Sequence, residues 1–210
     1  MKLLLSRTWT AAGVLIASTV AADAHIVAAR LGDFYAGALH PFTDLQDVVL
    51  WLALGVLAGS LGAVRGRWLI LLFPLGLVAG LSLANNSGLI PEGPAVDAGM
   101  ILVLGLLVAA QARLSTGLLA AIAFALAVVR GTANGDGLDP ATDRLLFGAG
   151  LASAGYVAIT LTMAVTLAFR RADGGEKTAW RGIAIRALGG WIAAVGLMMA
   201  GLAFSSHVAA

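Results

Sequence analysis

Three side chains able to bind a cation, His40, Asp44 and Asp47, lie just before a long apolar stretch. Dehydrating such groups at the end of a membrane helix costs free energy, so their presence requires access to water or a role. His40 and Asp47 are about two turns apart if the segment is helical. Two interpretations are open: the three residues form a metal site, or His40 and Pro41 only direct the chain into the helix, with the imidazole capping backbone groups.

The composition indicates which class of protein carries these residues. Of 210 residues, 60% are hydrophobic and only 11% are charged, which is too little polar surface to cover a soluble globule. The 27 glycines suit membrane helices that approach one another closely. The absence of cysteine excludes disulfides, thiolate metal sites and thiol catalysis. The formal charge of +2 is spread over loops, so no nucleic-acid partner is expected.

The amino-terminal residues have the pattern of a secretory signal. Lys2 and Arg7 precede an apolar run, and the small residues Ala22 and Ala24 frame a cleavage site. Residues 1–24 are therefore predicted to be a signal peptide, and His25 would become the mature amino terminus. An uncleaved signal anchor is the alternative.

The remainder, 25–210, is predicted to be one all-α transmembrane domain with six helices. The apolar segments between charged or turn-rich stretches are 47–64, 68–84, 98–112, 114–129, 145–169 and 187–205. A polar loop is predicted between Arg130 and Arg144. The bilayer is therefore an expected partner, and the glycine spacings leave open whether helices of other proteins or of a second copy also pack here.

The charges of the connecting segments predict the orientation. With the mature amino terminus outside, the inner segments hold eight basic residues and the outer segments three. The eight are Arg65, Arg67, Arg113, Arg170, Arg171, Lys177, Arg181 and Arg186, and the three are Arg30, Arg130 and Arg144. This distribution fits a bacterial inner-membrane protein with both mature termini on the periplasmic side.

The segment that starts at His40, HPFTDLQDVVLWLALGVLAG, resembles the signature of the HupE/UreJ family, H-P-x-x-G-x-D-H followed by an apolar helix with recurring glycine. That family comprises six-span membrane proteins regarded as permeases for nickel or a related divalent metal, which serve hydrogenase and urease maturation. The resemblance extends to the signal peptide, the length and the span count, and it implies the fold and a transported metal ion.

The chain departs from this signature at its metal-binding positions. The family's glycine, aspartate and second histidine correspond to Asp44, Gln46 and Asp47. A second family pattern, His-Gly-x-x-His-Gly, corresponds to RGTANG, so that Arg130 and Asn134 replace both histidines. Imidazole suits nickel, whereas an arginine repels a divalent ion and fits a charge partner for Asp44 or Asp47. A structural ion pair between Asp47 and Arg130 is therefore the preferred interpretation of the altered motif.

Two hypotheses of function follow. The first is a HupE/UreJ-like permease for a divalent transition metal such as nickel, with His40, Asp44 and Asp47 at the outer surface and Asn134 facing them. The second is a transport-inactive membrane subunit or assembly factor of a larger redox or metalloenzyme complex. The position of Arg130 discriminates between them, because a dry contact with an aspartate favours the second. No catalytic set is present, so no enzyme and no required cofactor are expected.

Overall fold

A computed structural model describes residues 32–84, 90, 92–171 and 179–208, and every regular element among them is helical. The predicted signal peptide and His25 lie outside these residues. We number the α-helices in chain order. They are α1 (Asp33–Leu39), a 3₁₀ helix (His40–Thr43), α2 (Leu45–Leu61), α3 (Ala63–Leu83), α4 (Pro94–Ala109), α5 (Thr116–Gly135), α6 (Arg144–Arg171) and α7 (Ala179–Val208).

The helices are long and apolar enough for a membrane protein. Four of them qualify as spans by length and composition: α3, α5, α6 and the part of α7 from Trp180 to Ser205. The segment Asp33–Thr43 and helix α2 meet at an angle of 84° and qualify together as a fifth. Helix α4, the third span of the sequence prediction, has 16 residues. The described residues thus contain four to five candidate spans and one shorter apolar helix.

The polar segment between Arg130 and Arg144 was predicted to be a loop, and this prediction is wrong for its first five residues, 131–135. Helix α5 continues through Gly135 and ends at Asp136, whose backbone N–H donates to the carbonyl of Thr132 at 3.0 Å. Packing against α3 explains the extension, because Gly131 lies directly against the carbonyl of Leu77. Tertiary contact outweighs the low helix propensity of the glycines. Arg130 therefore belongs to a packed helix.

Other helix boundaries also differ from the prediction. Helix α2 ends at Leu61, and the chain turns at Gly62, whose φ of 95° is readily adopted only by glycine. Helix α3 begins at the next residue, so Arg65 and Arg67 lie in its first turns and not in a loop. Helix α7 begins eight residues earlier than predicted, at Ala179. The predicted apolar segments thus all correspond to helices, some of whose ends are longer and some, as at Leu61, shorter than predicted.

Helix α2 lies at the centre of the described fold, in contact with α3, α4 and α6. Its buried side chains include Leu50, Trp51, Leu54 and Leu57, and the ring of Trp51 meets that of Phe73 on α3 edge to face at 5.6 Å. Burying such side chains fixes the helix relative to its neighbours. The carboxylates at the amino-terminal end of α2 are therefore held at a defined place between helices.

Candidate functional site: an arginine among three aspartates

The amino-terminal end of α2 presents two carboxylates. Asp44 is the N-cap residue, and its Oδ1 accepts a hydrogen bond from the backbone N–H of Gln46 at 2.9 Å. Asp47 lies in the first turn and is completely buried. The unpaired N–H groups at this end of a helix stabilise negative charge. Both carboxylates thus lie at the positive end of the α2 helix dipole.

The guanidinium of Arg130 lies between these carboxylates and a third one. Its Nε donates to Oδ1 of Asp47 at 2.7 Å, its Nη1 donates to Oδ1 of Asp97 at 2.7 Å, and its Nη2 donates to Oδ2 of Asp44. The arginine side chain is only 3% exposed. Each of its three nitrogen atoms therefore has a carboxylate partner, and helices α2, α4 and α5 are joined at one point.

Asn134, one turn after Arg130 on α5, completes this centre. Its amide nitrogen donates to Oδ2 of Asp47 at 2.8 Å and to the backbone carbonyl of Arg130 at 2.7 Å. Both oxygens of the buried Asp47 are thereby hydrogen-bonded, which offsets the cost of removing the charge from water. The Oδ1 atom of Asn134 is buried and has no hydrogen-bond partner in the described part of the chain.

The charges of the centre do not balance. Three carboxylates face one guanidinium, so the group formally carries two excess negative charges when all members are ionised. Exposure differs among the acidic side chains: 39% for Asp44, 14% for Asp97 and 1% for Asp47. Asp44 is therefore the member nearest to solvent, and the excess charge is best hydrated on that side.

The structure brings together four of the five residues that the sequence singled out: Asp44, Asp47, Arg130 and Asn134. The fifth, His40, lies in the 3₁₀ helix, and its ring contacts that of Phe147 on α6, edge to face at 5.6 Å between centroids. Among the residues that the structure describes, no three His, Asp or Glu side chains are arranged to hold a metal ion. In this arrangement the carboxylates are directed at the guanidinium.

Asp97 is the member of the centre that the sequence interpretation missed. The predicted third span starts at residue 98 and leaves Asp97 in the outer segment before it, whereas Asp97 lies in the first turn of α4. A signal was present in the sequence, because an acidic residue soon after Pro94 at the start of an apolar helix fits the first turn. The predicted orientation also places Asp97 on the same, outer side of the membrane as Arg130.

Comparison with known proteins identifies the family of this chain. The family profile described as HupE / UreJ protein matches residues 13–199, nearly the whole chain. Neither the curated proteins nor the solved structures that were searched give a match. The match includes the altered motif positions at Asp47, Arg130 and Asn134. The protein is a membrane protein that belongs to the HupE/UreJ family.

Proposed function

We propose that this protein is a transport-inactive HupE/UreJ relative that acts as an accessory membrane subunit or assembly factor for metalloenzyme maturation. The observation that supports this proposal is the position of Arg130, buried at 3% exposure and hydrogen-bonded to Asp44, Asp47 and Asp97. In this proposal a permanent internal cation occupies the place where a permease would receive its metal substrate.

The chemistry of the guanidinium explains why it would block a metal ion. Arginine stays protonated in proteins, so it cannot become neutral to admit a divalent cation as histidine can. A metal ion would have to displace the guanidinium from its carboxylates, and Arg130 would then be a buried charge without a partner. Two histidine positions of the family pattern carry Arg130 and Asn134, so the softer nitrogen ligands for nickel are also missing.

The second candidate function is inward permeation of a divalent metal, nickel or a related ion, through the same centre. The excess negative charge and the unpaired Oδ1 of Asn134 favour it. On this proposal Asp44, the most exposed carboxylate, receives the ion from outside, and Asp47 and Asn134 ligate it after Arg130 swings away. His40 would contribute only after its ring leaves Phe147.

We further propose that the mature chain crosses the bacterial inner membrane six times, with both ends in the periplasm. The four to five candidate spans, with the shorter helix α4 as a further crossing, allow this number. A bilayer that thins locally, or flanking residues that reach the interface, would accommodate a 16-residue helix. The basic residues near one end of the bundle, including Arg65, Arg113 and Arg170, support a cytoplasmic location for that end.

Uptake of radioactive nickel into cells tests the proposed function. Cells would produce the wild-type chain, Asp47→Asn or the control Asp136→Asn, which changes an exposed carboxylate outside the centre. Immunoblots of membrane fractions would measure the amount of each protein, so that uptake is compared at equal amounts. We expect uptake at the empty-vector level for all three. If the wild type and the control took up nickel above that level and Asp47→Asn did not, the protein would be a permease instead.

The accessory role has its own positive test. The tagged wild-type protein would be purified from native membranes in mild detergent and its partners identified. We expect a metalloenzyme or maturation protein to copurify, and we expect Arg130→Gln to lose it because the guanidinium no longer joins the three helices. Recovery of the same partner in equal amount with Arg130→Gln, at equal protein yield, would contradict a role for this centre in assembly.

A further inference from the structure

A basic cavity lies at the end of the bundle away from Arg130. It has a volume of about 550 Å³ and lies between the turn from α2 to α3, the segment after α4 and the end of α6. Three arginines line it, Arg65, Arg113 and Arg170, and the described lining contains no aspartate or glutamate. A cavity with this charge attracts an anion of corresponding size.

The backbone around the cavity adds to its positive potential. Helix α3 begins there without a side-chain cap, so its first N–H groups carry the positive end of the helix dipole. Gln111, which also lines the cavity, has a φ of 48°, unusual for a residue other than glycine. Its Nε2 donates to the carbonyl of Gly182 on α7 at 3.3 Å. The segment that carries Arg113 is thereby held beside the bundle.

An apolar groove of about 500 Å³ lies between α2, α6 and α7, nearer the middle of the bundle. Its lining is almost entirely hydrocarbon and includes Leu52 and Val56 from α2, Val165 and Phe169 from α6, and Leu188 from α7. Such a groove at membrane depth accepts a hydrocarbon chain. None of the described residues in its lining is charged, so the groove does not discriminate between ligands of different charge.

Helical spacing connects the groove to the basic cavity. On α2 the groove residues Leu52 and Val56 are followed at the same spacing by Ser60, which lines the cavity. On α6 the groove residues Thr162 and Thr166 are followed in the same way by Arg170. Residues four apart lie on one face of a helix. Both stripes therefore run from the apolar groove into the cavity.

We propose that the groove and the cavity together form a binding site for an anionic phospholipid, with an acyl chain against α2 and α6 and the phosphate among the three arginines. A phospholipid is the ligand that matches both parts, because an apolar tail and an anionic headgroup are joined in one molecule. Anionic headgroups are attracted to basic groups at the membrane surface. Arginine also binds phosphate oxygens in pairs through its planar fork. This site is independent of the proposed function and of the Arg130 centre.

The test measures lipid binding to the purified full chain in detergent. Mixed micelles with phosphatidylglycerol are compared with phosphatidylcholine micelles and with inorganic phosphate, by native mass spectrometry and by thermal unfolding. The double variant Arg65→Gln/Arg170→Gln removes two arginines of the cavity. The matched control is Arg67→Gln/Arg171→Gln. Arg67 is two positions from Arg65 and Arg171 follows Arg170, and both are exposed and do not line the cavity.

We expect the wild type and the control to retain phosphatidylglycerol and to be stabilised by it more than by phosphatidylcholine. The cavity variant should bind it about 30-fold more weakly, from about 1 kcal/mol for each arginine. Ala184→Phe, which fills the groove, should weaken binding of the lipid with all arginines present. Equal stabilisation by phosphatidylcholine, equal stabilisation by inorganic phosphate alone, or an equal loss in the control variant would each overturn the proposal.

Discussion

The Nε atom of Arg130 on α5 donates a hydrogen bond to Oδ1 of Asp47 on α2 at 2.7 Å, with both side chains buried. The two residues are 83 positions apart in the chain, so the contact joins the central helix to a helix that α2 does not otherwise closely pack against. A buried pair of this kind need not be more stable than apolar side chains of similar size. It does specify how the helices must meet.

A double-mutant cycle between Asp47 and Arg130 measures how strongly the two are coupled. Asp47→Ala or Arg130→Ala alone leaves buried charge without its partner and should lower the free energy of unfolding by about 3 to 5 kcal/mol. The double variant should lose less than the sum of the two, with a coupling of about 1 to 3 kcal/mol. Thermal or denaturant unfolding in detergent provides the values. Additive losses would show that the pair acts as two independent residues.

The three carboxylates should differ in importance according to their burial. Asp47→Asn should destabilise the protein most, Asp97→Asn less, and Asp44→Asn least, following side-chain exposures of 1%, 14% and 39%. Asparagine also keeps the N-cap at position 44, so Asp44→Ala should cost about 1 kcal/mol more than Asp44→Asn. Asp136→Asn serves as the exposed control, with an expected change within about 0.5 kcal/mol. The reverse order of the three would contradict this account of the centre.

Two neighbouring glycines on α7 test how closely that helix approaches α4. A Cβ at Gly189 would overlap the backbone of Ala109, whereas a Cβ at Gly190 meets no atom within 4 Å. Gly189→Ala should therefore destabilise the protein by about 1 to 3 kcal/mol, and Gly190→Ala should be neutral or slightly stabilising. Unfolding temperatures of the two variants in the same detergent give the comparison. Equal effects would mean that α7 does not pack on α4 through this face.

The absence of native cysteine makes the topology directly measurable. A cysteine introduced as Asp136→Cys should react with a membrane-impermeant maleimide in intact spheroplasts. One introduced as Arg113→Cys should react only after the membrane is opened. Both positions are exposed, so access by the reagent depends on the side of the membrane. Labelling of both cysteines in intact spheroplasts would overturn the proposed orientation.

The sequence was sufficient to predict the helical class and the family. Apolar runs bounded by charged residues are a strong signal in membrane proteins, which explains why the helical class was predictable. The pairing of Asp47 with Arg130 was expected because arginine replaced a histidine of the family pattern. The structure places these two side chains in contact.

Properties that depend on packing were not predictable in the same way. The extension of α5 through Gly135 depends on contact with α3, and local propensity favours a loop there. The participation of Asp97 depends on how α4 lies beside α2, which no spacing in the sequence encodes. The bend of 84° before α2 also requires the three-dimensional arrangement of α1 against α6.

The measurement that tests the central claim most directly is thermal unfolding of purified wild type and Arg130→Gln with and without nickel. If the guanidinium takes the place of a metal substrate, nickel should leave the wild type unchanged. It should raise the unfolding temperature of Arg130→Gln, whose three carboxylates have lost their cation. An increase with nickel in the wild type that Asp47→Asn abolishes would contradict the account, because the metal would then bind with Arg130 present.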